Sequence, residues 1–359
     1  MMARLDSICK LNMGQSPDSS SYNENGKGMP FFQGNADFGV VHPTVRVWCD
    51  APTKIAHNGD ILISVRAPIG ALNIADTECC IGRGLAALTV DETVCDKQYL
   101  WYGIASKVDE LNSKGTGSTF KAISKNVLAE TQIPLPTIDM QRQIALKLDN
   151  VCNLISLRKQ QLSKLDELVK SRFIEMFGEP ITNSKCLPTH ALGKVLLLKA
   201  GDFTAASDIV AEPTIENIYP CYGGNGIRGY VAEYNQEGEY SLIGRQGALS
   251  GNVQYAKGKF KNTEHALLVT PLIDMNSIWL NNLLINLDLK RYQTGAAQPG
   301  LSVKNLQEIP IIEVPKEEQN KFAAFVEQTD KSKFEIQKSL EKLETLKKAL
   351  MQKYFGANI

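Results

Sequence analysis

Residues 141–178 form the sequence QRQIALKLDNVCNLISLRKQQLSKLDELVKSRFIEMFG, which carries a regular pattern of apolar residues. Apolar side chains recur at alternating steps of four and three residues, at Ile144, Leu148, Val151, Ile155, Leu162, Leu165 and Val169. Arg158 and Arg172 occupy two further steps of the same series. An average step of about 3.5 residues is typical of a helix that packs along a coiled-coil seam. This stretch therefore predicts one long helix with a helical partner.

Residues 319–356 repeat this stretch at a constant offset of 178 residues. Gln141 aligns with Gln319, and Phe177 aligns with Phe355. The apolar seam residues of the repeat are Phe322, Val326, Ile336, Leu340, Leu343 and Leu350. Repetition of a helical segment within one chain indicates that the partner helix belongs to the same chain.

The polar residues of the two seams stand at different positions. Lys333 and Lys347 align with apolar residues of the first seam. Arg158 and Arg172 align with apolar residues of the second. Polar seam residues specify register at a cost in stability, so each helix fits the other better than a copy of itself. We predict an intramolecular antiparallel coiled coil. Two separate helices, each packed on its own domain, are less favoured. A helix of about 38 residues would span roughly 57 Å, which is longer than a domain of this size needs.

The segments that precede the two helices are also related. Residues 116–124 align with residues 294–302 at the same offset. Further upstream the offset becomes 179, which aligns Gly59, Arg66 and Asn73 with Gly238, Arg245 and Asn252. The apolar pattern predicts strands at residues 61–65 and 240–243. Beyond these positions the two segments diverge.

The expected fold class is α+β, with two similar mixed α/β domains that alternate with two long helices. Residues 1–138 and 179–316 are the predicted domains, and residues 139–178 and 317–359 are the predicted helices. The helices are expected to pair as an antiparallel coiled coil, so the chain has internal pseudo-two-fold symmetry.

The composition is typical of a globular protein, with 43% hydrophobic and 22% charged residues. No apolar run approaches the roughly 18 residues that cross a bilayer, and charges near the N-terminus predict a cytoplasmic chain. Eight cysteines form no CxxC pair and do not group with the four histidines, which predicts no metal site. The net charge of zero does not by itself suggest a nucleic-acid partner.

Motifs of common enzyme classes are missing from the sequence. It contains no GxxxxGK-S/T phosphate loop, no HExxH and no GxSxG. It also lacks an Asn-Pro-Pro-aromatic stretch like those of adenine methyltransferase sites. We therefore expect no catalytic residues and no enzymatic activity.

The whole arrangement resembles the specificity subunits of type I restriction-modification systems. The resemblance rests on residues 59–66 (GDILISVR), on residues 223–226 (GGNG) and on the Pro-containing strand that precedes Gln141 or Gln319. It implies two target-recognition domains, residues 1–138 and 179–316, which each read one half of a bipartite double-stranded DNA target. It also implies that the paired helices hold these domains apart and dock two adenine methyltransferase subunits.

The resemblance extends to cofactors and further partners. No cofactor is expected on this chain, whereas S-adenosylmethionine is expected in the methyltransferase subunit, and ATP with Mg²⁺ in a nuclease subunit where one is present. Two restriction subunits are optional further partners, and no membrane is expected. Because the two domains differ in sequence, we predict an asymmetric target with an unread spacer. The alternative is a coiled-coil scaffold that binds only protein, which the neutral charge allows.

Candidate DNA-binding residues are polar side chains in or beside glycine-containing loops. Arg66 and Arg245 can bind guanine or a phosphate through the guanidinium fork, or form an internal salt bridge that positions the next loop. Because they align between the two halves, a shared structural or phosphate-contacting role is favoured over base reading. The other candidates are Lys114, Thr116, Lys121, Tyr222, Asn225, Arg228, Arg291, Thr294 and Gln298. Plain turns and solvated loops are the alternatives for these. Base discrimination is expected where the halves differ, around residues 18–33 and 203–225.

Overall fold

The computed structural model describes residues 1–117, 121–247, 249–295 and 300–356. The chain divides into two compact units. Unit 1 contains Met1–Arg158 and the chain from Ser339 onward, and unit 2 contains Lys159–Lys338. Each unit therefore combines one globular domain with one half of each long helix.

Unit 1 starts with a domain of short strands and short helices. Its strands are β1 (Met2–Arg4), β2 (Cys9–Met13), β3 (Tyr22–Asn23), β4 (Met29–Phe32), β5 (Val47–Cys49), β6 (Ile55–Ala56), β7 (Ile61–Ser64), β8 (Leu72–Ile74), β9 (Cys79–Ile81), β10 (Leu85–Val90) and β11 (Gln132–Pro134). Its short helices are α1 (Lys97–Ala105), α2 (Val108–Ser113) and α3 (Lys125–Glu130). The long helix α4 (Ile138–Phe177) follows and continues into unit 2.

Unit 2 repeats this order with fewer and longer strands. Its strands are β12 (Thr189–Ala191), β13 (Leu196–Ala200), β14 (Tyr219–Gly223), β15 (Gly226–Val231), β16 (Gln236–Gly244), β17 (Val253–Asn262), β18 (Ala266–Pro271) and β19 (Pro310–Ile312). Its short helices are α5 (Leu192–Val195), α6 (Ser277–Asn286) and α7 (Val303–Gln307). The long helix α8 (Lys316–Phe355) returns to unit 1.

The two domains share one sheet topology. The strand order is β2-β10-β7-β8 in unit 1 and β13-β18-β16-β17 in unit 2, and β1 pairs with β11 as β12 pairs with β19. Strand β7 (Ile61–Ser64) is buried along its whole length, as expected for an inner strand covered on both faces. Ser124 and Ser302 cap α3 and α7 in the same way, since each side chain accepts a backbone N–H three residues later.

The domains differ in the strands outside this shared order, which form a separate sheet in unit 1 and extend the shared sheet in unit 2. In unit 1, β4 runs parallel to β9 within the sheet β3-β5-β4-β9-β6. In unit 2, β14 runs parallel to β17 and continues into an antiparallel hairpin with β15. The expected α+β class with two similar mixed α/β domains is confirmed, and the divergence falls in the segments that precede β7 and β16.

The long helices pack against each other in opposite directions within each unit. In unit 1, Ile144 and Leu148 from the start of α4 share a core with Met351 and Phe355 from the end of α8. In unit 2, the end of α4 packs on the start of α8, where the ring centroids of Phe177 and Phe322 lie 5.7 Å apart. This opposite order in the two units confirms an antiparallel pair.

The predicted seam residues of both helices are buried or half-buried throughout. Fully buried members are Ile144, Leu148, Val151, Val169, Phe322, Val326 and Leu340. Half-buried members are Ile155, Leu162, Leu165, Ile336, Leu343 and Leu350. The polar seam residue Lys333 forms an ion pair with Asp166 across the two helices, with Nζ and Oδ1 2.6 Å apart. In the described part of the chain, no helix is both long and apolar enough to cross a membrane.

Candidate nucleic-acid interface

In unit 1, three of the sequence-predicted residues meet at one backbone junction. Thr116 and Ala122 exchange backbone hydrogen bonds of 2.9 and 2.8 Å, and Ala122 also faces Arg66 in an isolated β-bridge. The backbone N–H of Ala67 donates to the carbonyl of Lys121 at 2.9 Å. The side chains of Arg66, Thr116 and Lys121 are all exposed at this junction. Lys114 is also exposed, but its Nζ lies 2.7 Å from Glu110, which neutralises much of its charge.

Unit 2 contains the same junction. Thr294 and Gly300 exchange backbone hydrogen bonds of 2.9 and 3.0 Å, and Gly300 faces Gln246 in a β-bridge. Thr294 is exposed. The guanidinium of Arg291 lies over the ring of Tyr292, 5.5 Å from its centroid. The candidate Gln298 lies outside the described residues.

This junction corrects the predicted equivalence of Arg66 and Arg245. The backbone N–H of Ile123 donates to the carbonyl of Val65, and the N–H of Leu301 donates to that of Arg245. Arg245 is therefore the counterpart of Val65, and the counterpart of Arg66 is Gln246. The prediction was wrong because it aligned identical letters, whereas the backbone offset at this point is 180 residues.

The corrected alignment also separates the environments of the two arginines. Arg66 is exposed, whereas Arg245 is half-buried and stands where unit 1 has the buried Val65. The Nε of Arg245 is buried and forms no hydrogen bond to another described residue. The side chain of Arg245 is thus directed into the domain, and the exposed residue at this strand end is Gln246.

The glycine-rich turn between β14 and β15 lies beside the junction of unit 2. A Cβ at Gly224 would lie 3.2 Å from the carbonyl oxygen of His265 and 3.6 Å from the Cα of Gly244, so the turn approaches the end of β16 closely. Asn225 at the tip is exposed, and its Oδ1 accepts a hydrogen bond from the side chain of Asn252. This contact brings Asn225 next to the polar residues that follow β16.

The other two candidates of this turn behave differently from each other. The stem of Arg228 lies over Gly223, because a Cβ at Gly223 would meet its Cδ at 2.4 Å, and the Arg228 side chain is exposed. The ring of Tyr222 is half-buried and packs edge-on against Phe260, with centroids 5.4 Å apart. Burial raises the pKa of the Tyr222 hydroxyl. Arg228 is therefore free to contact a ligand, and Tyr222 mainly packs.

Four polar residues near this turn, Gln246, Asn252, Glu264 and His265, were not among the predicted site residues. The Nδ1 of His265 lies 3.0 Å from the Oε1 of Gln246, and its Nε2 lies 3.1 Å from the Oε1 of Glu264. Asn252 holds Asn225, as described above. The sequence signal for Gln246 was its position directly after Arg245. Without the backbone register, Arg245 was matched to Arg66 because the two residues are identical.

The arrangement offers hydrogen-bond donors and positive charge. Arg66, Lys121 and Arg228 present exposed cations, and Asn225 and Gln246 present exposed amides. Such groups bind phosphates and base edges. Among residues 1–117, 121–247, 249–295 and 300–356, no group of three or more His, Cys, Asp or Glu side chains lies close enough to hold a metal ion.

Comparison with known proteins assigns the fold and the sequence to one family. The family model described as the type I restriction modification DNA specificity domain matches residues 1–167 and 192–348. The specificity subunit of the type I restriction enzyme EcoprrI from Escherichia coli is 32% identical over 299 residues, which cover 77% of this chain and 72% of that protein. The putative MjaX specificity subunit from Methanocaldococcus jannaschii is 40% identical over 161 residues, or 45% of this chain and 38% of that protein.

A solved structure supports the same fold. The crystal structure of the S subunit of a type I restriction-modification system from M. genitalium matches with a TM-score of 0.64 and covers 99% of this chain and 96% of that one. Its sequence identity is 20%, so this likeness concerns the fold alone. The family model that matches both halves of the chain, together with the 32% identical relative, shows that the chain belongs to the family of DNA specificity subunits of type I restriction-modification systems.

Proposed function

We propose that each domain reads one half of an asymmetric bipartite target in double-stranded DNA. The observation that carries this proposal is the repeated junction at Arg66 and Gln246, where one backbone framework presents different side chains. A shared framework gives both domains the same approach to a duplex, and different side chains give each its own base preference. Among the strands that differ, β3, β4 and β14 lie in the segments expected to discriminate bases, residues 18–33 and 203–225.

We further infer that the paired helices space the two domains and dock two adenine methyltransferase subunits. Each helix contains 40 residues, which corresponds to about 60 Å. Exposed apolar residues on α4 outside the seam, such as Leu146 and Leu157, offer surface to a partner protein. In this proposal the chain itself has no catalytic role. S-adenosylmethionine is bound by the methyltransferase subunits, and ATP with Mg²⁺ by two restriction subunits where the system has them.

The proposal is tested by co-expressing the chain with a methyltransferase subunit from the same system and mapping methylated adenines in the host DNA by long-read sequencing. The expected result is a two-part motif that disappears when this chain is omitted. A stable complex in which the methylation pattern is the same with and without the chain would instead support a protein-binding scaffold.

A further inference from the structure

An isolated β-bridge just after β7 in unit 1, and just after β16 in unit 2, presents one exposed side chain at an equivalent position in each unit. In unit 1 this side chain is Arg66, opposite Ala122, and in unit 2 it is Gln246, opposite Gly300. Ile123 follows Ala122, and Leu301 follows Gly300. The backbone N–H of Ile123 donates to the carbonyl of Val65, and that of Leu301 donates to the carbonyl of Arg245 in the same way. The backbone position is thus conserved between the two units while the side chain changes from a guanidinium to an amide.

The neighbours of this position change together with it. The backbone N–H of Val65 donates to the carbonyl of Gly84, and the N–H of Arg245 donates to the carbonyl of His265. Gly84 and His265 are therefore counterparts. His265 bonds the side chain of Gln246 at 3.0 Å, which restricts its rotamers. Gly84 offers no such side chain, and the Arg66 guanidinium makes no hydrogen bond or ion pair with another described residue.

The two side chains have different partners among the bases. Arginine binds the O6 and N7 atoms of guanine through two parallel hydrogen bonds, and glutamine binds the N6 and N7 atoms of adenine in the same way. With one lone pair of Oε1 used by His265, Gln246 retains a second lone pair and both amide hydrogens for this contact. A phosphate contact requires only a donor or a positive charge, so it gives no reason for the side chain to change between units.

We propose that Arg66 and Gln246 occupy one specificity-determining position, at which Arg66 selects a guanine in the half-site of unit 1 and Gln246 selects an adenine in the half-site of unit 2. This inference rests on the proposed function, because it requires that each domain contacts one half of the target. His265 acts as a positioning residue for Gln246.

The test measures the methylated motif for three variants in the complex with the methyltransferase subunits. Arg66→Gln is expected to change one base pair of one half-site from G·C to A·T, and Gln246→Arg to make the opposite change in the other half-site. Arg66→Lys keeps the charge but loses the guanidinium fork, so the preference for guanine should fall about tenfold or more while binding to DNA persists. Lys125→Gln is the matched control, since Lys125 is an exposed lysine of the same domain outside the candidate contacts, and its loss should leave the motif unchanged.

The outcomes separate this inference from the proposed function. If the unsubstituted chain directs no two-part motif, the proposed function fails and the inference fails with it. If it does direct one, an unchanged motif in both Arg66→Gln and Gln246→Arg overturns the inference alone. So does a uniform loss of methylation at all sites in a complex that still elutes intact from a sizing column, because that result indicates phosphate contacts. A base change confined to one half-site for each variant supports it.

Discussion

The side-chain Oε1 of Gln141 accepts a hydrogen bond of 2.9 Å from the backbone N–H of Asp96, the N-cap residue of α1. In unit 2, Gln319 accepts the equivalent bond of 2.8 Å from Asn276, the N-cap residue of α6. The Nε2 of each glutamine also donates to a carbonyl five residues earlier, that of Pro136 or Val314. One buried amide therefore fastens the start of each long helix to the domain of its own unit.

Replacing Gln141 by alanine should lower the free energy of unfolding of unit 1 by about 1 to 3 kcal/mol, because it leaves a backbone N–H and two carbonyls without their partner. Urea unfolding, followed by circular dichroism, measures the change. Gln143→Ala is the matched control, since Gln143 is exposed on the same helix and should shift the midpoint little. Equal midpoints for the two variants would contradict this role of Gln141.

Leu148 and Leu146 provide a matched pair for the helix seam. Leu148 is fully buried in the core of unit 1, whereas 61% of the Leu146 surface is exposed. Leu148→Ala should cost about 2 to 5 kcal/mol through lost burial and the cavity that remains. Leu146→Ala should change the free energy of unfolding by less than about 0.5 kcal/mol. The seam assignment is wrong if the two substitutions are equally tolerated in thermal or urea unfolding.

Glu239 on β16 links the stability of unit 2 to pH. A hydrogen bond from Lys257, followed by one from Tyr255, holds the pKa of the Glu239 carboxyl below its ordinary value. The Lys257 Nζ lies 2.6 Å from this carboxyl, which is more than one-third exposed. A carboxyl whose pKa is lower in the folded state stabilises the fold above its unfolded pKa, and this contribution is lost as the pH falls through the folded pKa.

Glu239→Gln should therefore reduce stability near neutral pH by less than about 1 kcal/mol, given the exposure of the pair, and the difference from the unsubstituted chain should vanish in acid. Urea unfolding at a series of pH values from neutral to acidic measures this. Glu237→Gln serves as the control on the same strand, where the nearest Lys259 nitrogen is 3.9 Å away. A stability difference that grows as the pH falls has the wrong sign for this account.

Cysteine reactivity should follow burial. Burial raises the pKa of the Cys9, Cys79 and Cys95 thiols to about 12, so these thiols stay protonated and shielded in the folded chain. Cys186 is exposed. Iodoacetamide at neutral pH should therefore modify Cys186 first, and Cys186→Ser should remove the fast phase of labelling detected by mass spectrometry. Rapid labelling of Cys79 in the native chain would show that its strand is open to solvent.

The helical half of the architecture was predictable from sequence because its signal is local. Steps of three and four residues identify the seam, and the constant offset of 178 residues identifies the partner helix. The helices start at Ile138 and Lys316, each one residue before the predicted start. The same period places Arg172 and Lys333 within the seam. Periodicity defines which face of a helix is buried without reference to the rest of the chain.

The candidate interface was less predictable because it depends on backbone register between distant segments. Matching Arg66 to Arg245 by identity missed a one-residue shift, and in a strand such a shift reverses which side chain faces the solvent. The bonds of Gln141 to Asp96 and of His265 to Gln246 also join segments far apart in sequence. Spacing within a local motif carries no information about such pairs.

Whether each domain reads its own half-site is tested by mapping the methylated motif of a chain in which residues 179–316 are replaced by a second copy of residues 1–138. If each domain reads its own half-site, the complex should methylate a two-part target whose halves are both the sequence read by the first domain. An intact complex that still methylates the original target, or any target whose halves still differ, would contradict the account.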